Sequence, residues 1–493
     1  MSATLCPVDP MAPWPLFDVV ATRRIEQLAL AQVPPHTLMQ RAGLATARLA
    51  LALAPHARTL WVAAGPGNNG GDGLEAAAHL QRAGKHTVVT WLGTAQGASP
   101  DTAAAWQRAV DAGVVFADAP PAVFDLCLDA LLGIGAARPP EGRMATWVAH
   151  MNGASAPTLS VDLPTGLNAD TGDCAGLHVQ AHTTLSLLTL KPGLFTAHGR
   201  DAAGRVWLDR LQVDTASAPF AAVASPCARY GGAPAPRTRP HASHKGSFGD
   251  VAVVGGAPGM AGAALLAASA ALHFGAGRVY LAALDPALKG AALGHPELML
   301  RQADTLVLAN TTVVCGCGGG TAVREQLPRM LSGAPRLVLD ADALNAVAQD
   351  TQLQVQLRAR AARGWRTILT PHPLEASRLL ATDSRSVQQD RLAAAHRLAD
   401  AYQCTVVLKG SGTVLAAPGQ VSRINPTGNA RLATAGTGDV LAGAIGAALA
   451  AGLPEYDAAW EAVYLHGHCA DAWPAGEALT ASLLARRLQA LAG

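Results

Sequence analysis

Short apolar runs that stop at glycine or aspartate alternate with longer stretches of helical spacing along most of this chain. "TLWVAAG", from Thr59 to Gly65, is such a run and predicts a buried strand. "GLEAAAHLQRAG" after it has helical spacing and a glycine stop. "HTVVTWLG", "AVFDLCLDALLG", "PTLSVDLPTG", "TTLSLLTLKPG" and "GRVWLDRL" are further strand candidates. This alternation predicts a parallel sheet with helices on both faces. Ahead of it, "RRIEQLALAQVPPHTLMQRAGLATARLALALA" predicts two helices broken at Pro34-Pro35. From Asp214 to Pro240 the pattern lapses into an aperiodic stretch of Ala, Pro, Ser and Gly, which predicts a linker over 214–240 between domains 1–213 and 241–493. Alternation resumes with "GDVAVVGG", "RVYLAAL", "TTVVCG", "RLVLD", "RTILT", "TVVLKG" and "GTVLAAP", and the chain closes on Ala/Leu-rich helices.

The length of 493 residues supports two or three domains. Half the residues are hydrophobic and 15% are charged, as in a globular protein. A net charge of +2 points to neither a nucleic-acid surface nor an acidic tail. No apolar run reaches membrane-spanning length, and the start shows no export-signal pattern. The eight cysteines are scattered without a CxxC pair, which reads as reduced and cytoplasmic. Cys315 and Cys317 flank a glycine and read as small buried residues rather than metal ligands, because no partners follow at metal-site spacing.

Four strand candidates of the first half end in chemistry-bearing residues, where an open α/β sheet binds its ligands. The first ends in Gly65-Pro66-Gly67-Asn68-Asn69-Gly70-Gly71-Asp72-Gly73. That reads as a loop whose backbone N–H groups can cradle a phosphate, with asparagine oxygens for a cation and Asp72 capping the next helix. The others end at Asp129 to Gly135, at Asp162-Leu163-Pro164-Thr165-Gly166 and at Lys191-Pro192-Gly193. Each end alone is an ordinary turn or helix cap. Together they offer phosphate donors, oxygen ligands and a carboxylate with an ammonium for proton transfer.

"HTLMQRAG", "GPGNNGGDGL", "DALLGIG", "VDLPTG" and "LKPGL", in this order, resemble the NAD(P)H-hydrate epimerase family from about Arg23 to Leu211. The resemblance implies a Rossmann-like three-layer sandwich and a potassium ion on Asn69, Asp129 and Thr165. It implies that Asn68, Asn69, Gly70, Gly71 and Asp72 surround the hydrated nucleotide, with Gly133, Ile134, Gly135, Ala136, Ala137, Arg138, Pro139 and Asp162. Lys191 would be the catalytic partner of Asp162. Thr165 stands where the family commonly has serine, and Gln40 where a glutamate is usual.

In the second half, Gly436-Thr437-Gly438 opens a long apolar helix with Asp439 in its first turn. Free N–H groups and the positive dipole end suit an anion there. Asp439 reads either as charge complementing the dipole or as a base beside an oxyanion hole, of the kind phosphoryl transfer uses. That constellation resembles the ribokinase-like superfamily. "HASHKGSFGDVAVVGGAPGMAGAALL", "HPELM", "LVLDADALN", "LTPHPLEASRLL", "VVLKGSGTVLAAPG" and "NPTGNARLATAGTGDVLAGAI" resemble the NAD(P)H-hydrate dehydratase family, from about His241 onward. The resemblance implies a ribokinase-like three-layer sandwich. Lys409, Gly410, Ser411, Gly412, Thr413 and Gly438 would hold ADP or AMP. Ala263, Gly318, His372 and Asp439 would contact the hydrate, with Asp439 as the catalytic base. Cys317 and Gly319 stand where the family favours proline and leucine, and Arg431 intrudes near the nucleotide loop.

The two resemblances imply one repair function. The first half would interconvert the R and S hydrates of NADH and NADPH at C6. The second would dehydrate the S hydrate with ADP and Mg2+, giving NAD(P)H, AMP and phosphate. Small molecules are then the expected partners, without nucleic acid or membrane, and a homo-oligomer is expected. The alternative is a ribokinase-like small-metabolite kinase with a non-catalytic nucleotide-binding N-terminal domain.

Overall fold

Runs rich in Val, Leu and Ala become the central strands because parallel strands are covered on both faces and need apolar side chains throughout. In the computed structural model, which describes residues 5–135, 138–288 and 294–489, the strand candidates are all strands. The chain divides into two compact units. One comprises the segment ending at Asp9 together with Trp14–Tyr230; the other comprises Pro10–Pro13 and the chain from Gly231.

The first unit holds an eight-stranded sheet in the spatial order Leu5–Pro7, Arg205–Asp209, Thr183–Leu187, Thr158–Val161, Leu126–Ala130, Thr59–Ala64, His86–Trp91 and Val115–Phe116. It is parallel except at Leu5–Pro7, which pairs antiparallel with Arg205–Asp209. Alternate residues feed two apolar clusters. Leu60, Val62, Leu126 and Leu128 face one, with Ile25, Leu49 and Leu74 from the helices. Trp61, Ala63 and Cys127 face the other, with Trp147 and Val148. This is the three-layer arrangement. Helices Val19–Leu30 and Thr37–Leu53 lie either side of the Pro34-Pro35 break, and Asp18 caps the first by accepting from Ala21 N at 2.7 Å.

The glycine-rich stretch departs from expectation. Its helix spans Asn68–Arg82 rather than starting at Gly73, so most of the presumed loop is helix, with Gly67 as the N-cap. Asp72 therefore sits beyond the first turn and is not the cap. The glycines are there for packing. A Cβ at Gly70 would lie 2.0 Å from Gly65 O, and one at Gly73 would lie 2.5 Å from the Ala130 Cβ. Only glycine lets this helix start press onto the strand ends.

In the second unit, strands Met299–Leu300, Arg278–Ala283, Asp250–Gly255, Thr311–Cys315, Arg336–Leu339, Arg366–Leu369 and Thr405–Leu408 run parallel in that order. Val414–Ala416 and Ser422–Ile424 extend the sheet antiparallel. Val251 and Val253 face a cluster with helices Ala261–His273, Thr437–Ala450 and Glu455–Asp471. Ala252 and Val254 face the opposite cluster, with helices Val323–Gly333, Ala341–Ala348 and Arg391–Tyr402.

The change of unit at Tyr230/Gly231 falls inside the aperiodic 214–240 stretch, but that stretch is not featureless. It contains the helix Ala218–Val223, whose Phe220 is buried in the first core, and the strand Ala228–Tyr230. Pro10–Pro13 belongs with the second unit, where Pro10 O and Met11 O accept from Gly232 N and Ala233 N. All eight cysteines are free, and no described helix is long and apolar enough to cross a membrane.

Candidate active sites

The strand ends of the first unit surround a cavity of about 830 Å3, a size that suits a small-molecule ligand. Asn68, Asn69, Asp72, Gly133, Ile134, Gly135, Arg138, Pro139, Asp162 and Lys191 all line it. Gly70 and Gly71 are buried in the helix start behind it. Ala136 and Ala137 lie outside the described residues. Gln40 is exposed on its helix and is absent from the lining.

Asp162 adopts φ +66, the left-handed region that a non-glycine residue enters at a cost. Its backbone N–H donates to Leu185 O, and Oδ1 accepts from Leu187 N at 3.1 Å and from Lys191 Nζ at 2.5 Å. Lys191 is 1% exposed and also donates to Leu187 O at 2.8 Å and to Ser186 Oγ at 3.3 Å. The ammonium is thus held on three oxygens and fixes the carboxylate. Oδ2 of Asp162 has no hydrogen-bond partner among the described residues, so a proton-transfer face remains.

Asp129 and Thr165 lie fully buried beneath the lining. Thr165 Oγ1 donates to Asp129 Oδ1 at 2.6 Å, while Thr165 N and Ser160 Oγ donate to Oδ2 at 2.9 and 2.8 Å. Burial pushes the Asp129 carboxyl up, against these hydrogen bonds. Thr165 Oγ1 accepts from Leu132 N, one residue before Gly133, and a Cβ at Gly133 would lie 3.5 Å from Asn69 Oδ1. The three oxygen-bearing residues thus converge on one short segment. Both side-chain polar atoms of Asn69 are buried without a partner among the described residues. A buried amide left unsatisfied calls for a ligand.

Sequence reasoning missed three carboxylates and a cation on the same cavity: Glu26, Asp101, Glu141 and Arg23. Glu26 and Arg23 sit on a helix read only as a helix, and their charges on its apolar pattern were the available signal. Burial, and then Asp162, raises the Glu26 carboxyl; burial, Asp162 and Glu26 push Asp72 well up. Carboxyls biased toward their neutral form donate hydrogen bonds and repel an anionic ligand less.

In the second unit, Gly436 takes φ +88 and caps the helix Thr437–Ala450, placing Asp439 in its first turn. Burial, and then the charge of Asp340, raises the Asp439 carboxyl to about 6, against the Cys317 hydrogen bond and Lys409. A Cβ at Gly438 would lie 3.4 Å from Lys409 Nζ, so the ammonium stands beside the helix start. Lys409 Nζ donates to Asp340 Oδ1 at 2.7 Å, and Thr370 Oγ1 donates to the same oxygen at 2.7 Å. Burial opposes the Lys409 charge, but Asp340 and Glu375 outweigh it and raise its pKa. Asp340, 1% exposed, is the organising residue that sequence reasoning left unassigned, although "LVLDADALN" marked its strand end.

Ala263 and Gly318 are adjacent, since a Cβ on Gly318 would meet the Ala263 Cβ at 2.8 Å. Gly410, at φ +136, opens the Lys409–Thr413 turn, in which Thr413 Oγ1 donates to Gly410 O. His372 caps the helix Pro373–Leu379: its Nδ1 accepts from Leu374 N and Glu375 N, while Glu375 Oε2 accepts from His372 N at 2.8 Å. Only Nε2 remains for other work, and it lies 3.2 Å from Glu375 Oε1. Arg431 is tied by Nη1 to Trp473 O at 3.1 Å. Cys315 and Cys317 are buried as expected. Cys317 also lies within 4.8 Å of ligand atoms of both Asp340 and Asp439, a grouping drawn from distant chain positions that local spacing does not reveal.

Two family models match the chain: NAD(P)H-hydrate dehydratase over residues 251–490, and YjeF-related protein N-terminus over 35–193. The chain is 35% identical over 473 residues to the bifunctional NAD(P)H-hydrate repair enzyme Nnr of Coxiella burnetii, covering 92% of this chain and 94% of that protein. It is 45% identical over 257 residues to the ADP-dependent (S)-NAD(P)H-hydrate dehydratase of Neisseria meningitidis, covering 50% of this chain and 85% of that protein. Among solved structures, the Bacillus subtilis ADP/ATP-dependent NAD(P)H-hydrate dehydratase co-crystallised with ATP/Mg2+ is 31% identical with a TM-score of 0.43, covering 52% of this chain and 92% of that chain.

The capping carboxylate gives a signed expectation. Burial raises Glu375 from 4.5 to about 7. The folded state therefore holds the proton more tightly, and the stability this contributes is present below pH 4.5 and lost as pH rises to about 7. Glu375→Gln keeps an acceptor for His372 N but cannot ionise. Its advantage over wild type in unfolding free energy from urea titrations should be near zero at pH 4.5 and grow to as much as about 3 kcal/mol by pH 8. Parallel pH dependences in the two proteins would refute the assignment.

Proposed function

This chain belongs to the family of bifunctional NAD(P)H-hydrate repair enzymes, and on that premise we propose how its two units divide the work. The protein epimerises hydrated NADH and NADPH and dehydrates them. The first unit carries the epimerase and the second the dehydratase. Water added across C5–C6 of the reduced nicotinamide ring leaves a hydroxyl on C6, beside the ring nitrogen. One dehydratase site accepts one epimer, so an epimerase is needed to clear both.

For epimerisation, Asp162 removes the C6 hydroxyl proton, the C6–N1 bond opens to an aldehyde with its electron pair kept on N1 and delocalised through C2=C3 into the carboxamide, and N1 re-adds to either face of the aldehyde. Asp162 then returns the proton, with Lys191 holding the carboxylate in place. Potassium fits the donors: the orphaned amide of Asn69, the carboxylate of Asp129 and the hydroxyl of Thr165. One full charge among oxygen donors suits a large monovalent cation. When bound, the ion supplies a positive charge that steadies the glycine-rich helix start against the Asp162 turn.

For dehydration, the observation that carries the reading is Asp439 at a helix N-terminus with Lys409 beside Gly438. Asp439 takes the C6 hydroxyl proton as that oxygen attacks the β-phosphorus of ADP, and the bond to the AMP oxygen breaks. The helix N–H groups and Lys409 stabilise the charge on the transferred group. The phosphorylated C6 oxygen then leaves as phosphate, pushed by the N1 lone pair. Loss of a C5 proton restores the double bond. ADP enters with Mg2+ on its phosphates and is held by Lys409, Gly410, Ser411, Gly412, Thr413 and Gly438, with the hydrate against Ala263, Gly318 and His372. The free cysteines support a reducing compartment, the cytoplasm. The protein is proposed to act there as a homo-oligomer, which light scattering measures.

Asp439→Asn should lower dehydration about a hundredfold or more while epimerisation persists. Because the wild-type carboxyl titrates at about 6 and works deprotonated, its rate should fall as pH drops below that value. NADH recovery followed at 340 nm across pH, with ADP supplied, reads both; near-normal turnover in the variant would remove Asp439 as the base. A stable phosphorylated product would point instead to a kinase.

Asp162→Asn should leave dehydration intact but make recovery from a mixed-epimer hydrate stall once the S form is consumed. Rapid completion of recovery would exclude Asp162 from the chemistry.

Replacing potassium with sodium, and Asp129→Ala, should each weaken epimer exchange. The two effects should not add, since both empty one site. Exchange measured in both salts decides this, and an undiminished potassium response in Asp129→Ala would place the ion elsewhere.

A further inference from the structure

The first residue of the helix Arg391–Tyr402 is a cation at the positive end of a helix dipole, and it is 1% exposed. Both circumstances are unfavourable: burial alone pushes the guanidinium down to about 10, and helix starts favour negative charge. The adjacent Asp390 caps the helix by accepting from Ala393 N, which offsets the dipole. A small apolar residue would avoid the cost, so what the guanidinium touches is informative. Its Nη2 donates to Leu408 O and to Lys409 O, both at 3.1 Å, and its Nη1 donates to Gln388 Oε1 at 2.6 Å. Leu408 ends the strand Thr405–Leu408, and Lys409 opens the turn that follows it. A Cβ on Gly410 would lie 2.9 Å from both terminal guanidinium nitrogens, and Gly410 sits at φ +136. The planar fork of Arg391 therefore occupies the space where a side chain at position 410 would stand, and it grips the two carbonyls at the root of the turn. Lys409 Nζ, one residue along, is the cation beside Gly438.

We propose that Arg391 is a positioning residue for nucleotide binding, one that presets the backbone of the Lys409–Thr413 turn from behind without touching the substrate. This rests on the reading that the turn holds ADP. The two N–H bonds of Nη2, fixed in the guanidinium plane while Nη1 is anchored on Gln388, can hold two successive carbonyls, which a lysine ammonium cannot do with the same geometry. With the turn preset, ADP does not have to order it on binding. Loss of the fork should therefore appear in affinity for ADP rather than in the chemical step.

The test uses the full-length protein with ADP as the probe. Arg391→Met and Arg391→Lys are compared by calorimetric Kd for ADP, by KM for ADP and kcat in dehydration, and by epimer exchange as a control for the rest of the chain. Arg391→Met is expected to raise Kd and KM for ADP about tenfold while kcat stays within about threefold and epimerisation is unchanged, with Arg391→Lys falling between it and wild type. An unchanged Kd and KM, or a fall in kcat as large as the rise in KM, would overturn the proposal. If Arg391→Met does not fold, Arg391→Lys decides: a raised KM with kcat retained supports the fork, and wild-type KM refutes it. Lys409→Met separates the two levels. If it leaves ADP binding intact, the turn is not the nucleotide site; if it weakens ADP binding while the Arg391 variants do not, only the role of Arg391 fails.

Discussion

A carboxylate taken out of water must find its donors inside the protein, and that requirement organises both units. Asp129 lies one residue from the end of the strand Leu126–Ala130 and is satisfied by Ser160 and Thr165, which belong to the next strand and the turn after it. Asp340 follows a strand of the second sheet and is satisfied by Thr370 and Lys409, which follow the next two strands. Each buried acid thus ties neighbouring strand ends together at the edge where a parallel sheet binds ligands. Stripping the partners from such an acid leaves a buried charge, at a cost of roughly 3–5 kcal/mol. The geometry of each site is consequently part of what keeps its sheet closed at that edge.

Close backbone packing then brings helix starts to those edges. In the first unit Gly70 and Gly73 admit the strand-end backbone and the Ala130 side chain where a Cβ would stand. In the second, a Cβ on Gly443 would lie 2.0 Å from Ala267 O, so the helix carrying Asp439 seats against the helix Ala261–His273. Side-chain-free positions convert sheet topology into an array of N–H groups pointing at a ligand. What the structure shows of these glycines is close packing.

The two sites share this scaffold and differ in charge. The first cavity gathers Glu26, Asp72 and Asp162 around one buried lysine, so burial and mutual repulsion push Glu26 and Asp72 toward their neutral forms. The second sets Asp439 near the Asp340–Lys409 pair and lifts its carboxyl only to about 6, leaving it ionised at neutral pH and basic enough to take a proton. Under the proposed chemistry, proton shuffling at a hemiaminal in the first site and deprotonation of an attacking hydroxyl in the second would use these different settings.

The sequence by itself determined the strands, because an apolar run ending at glycine or aspartate is a local signal that covers both faces of a buried strand. It also marked the motif residues Asp162 and Lys191, which follow two of those strands, and Asp439 in the first turn of its helix. It misjudged where the Asn68 helix begins, because a run of glycines reads as a loop until the strand ends it packs against are known. It left Glu26, Asp340 and Arg391 without roles. Each acts on groups far away in the chain, as Asp340 does on Lys409 across 69 positions, and no local pattern encodes such a meeting. Which buried polar groups satisfy one another is decided when the strands align side by side. Tertiary structure alone therefore settled the partners of Asp129, the lysine on Asp340 and the guanidinium behind Gly410.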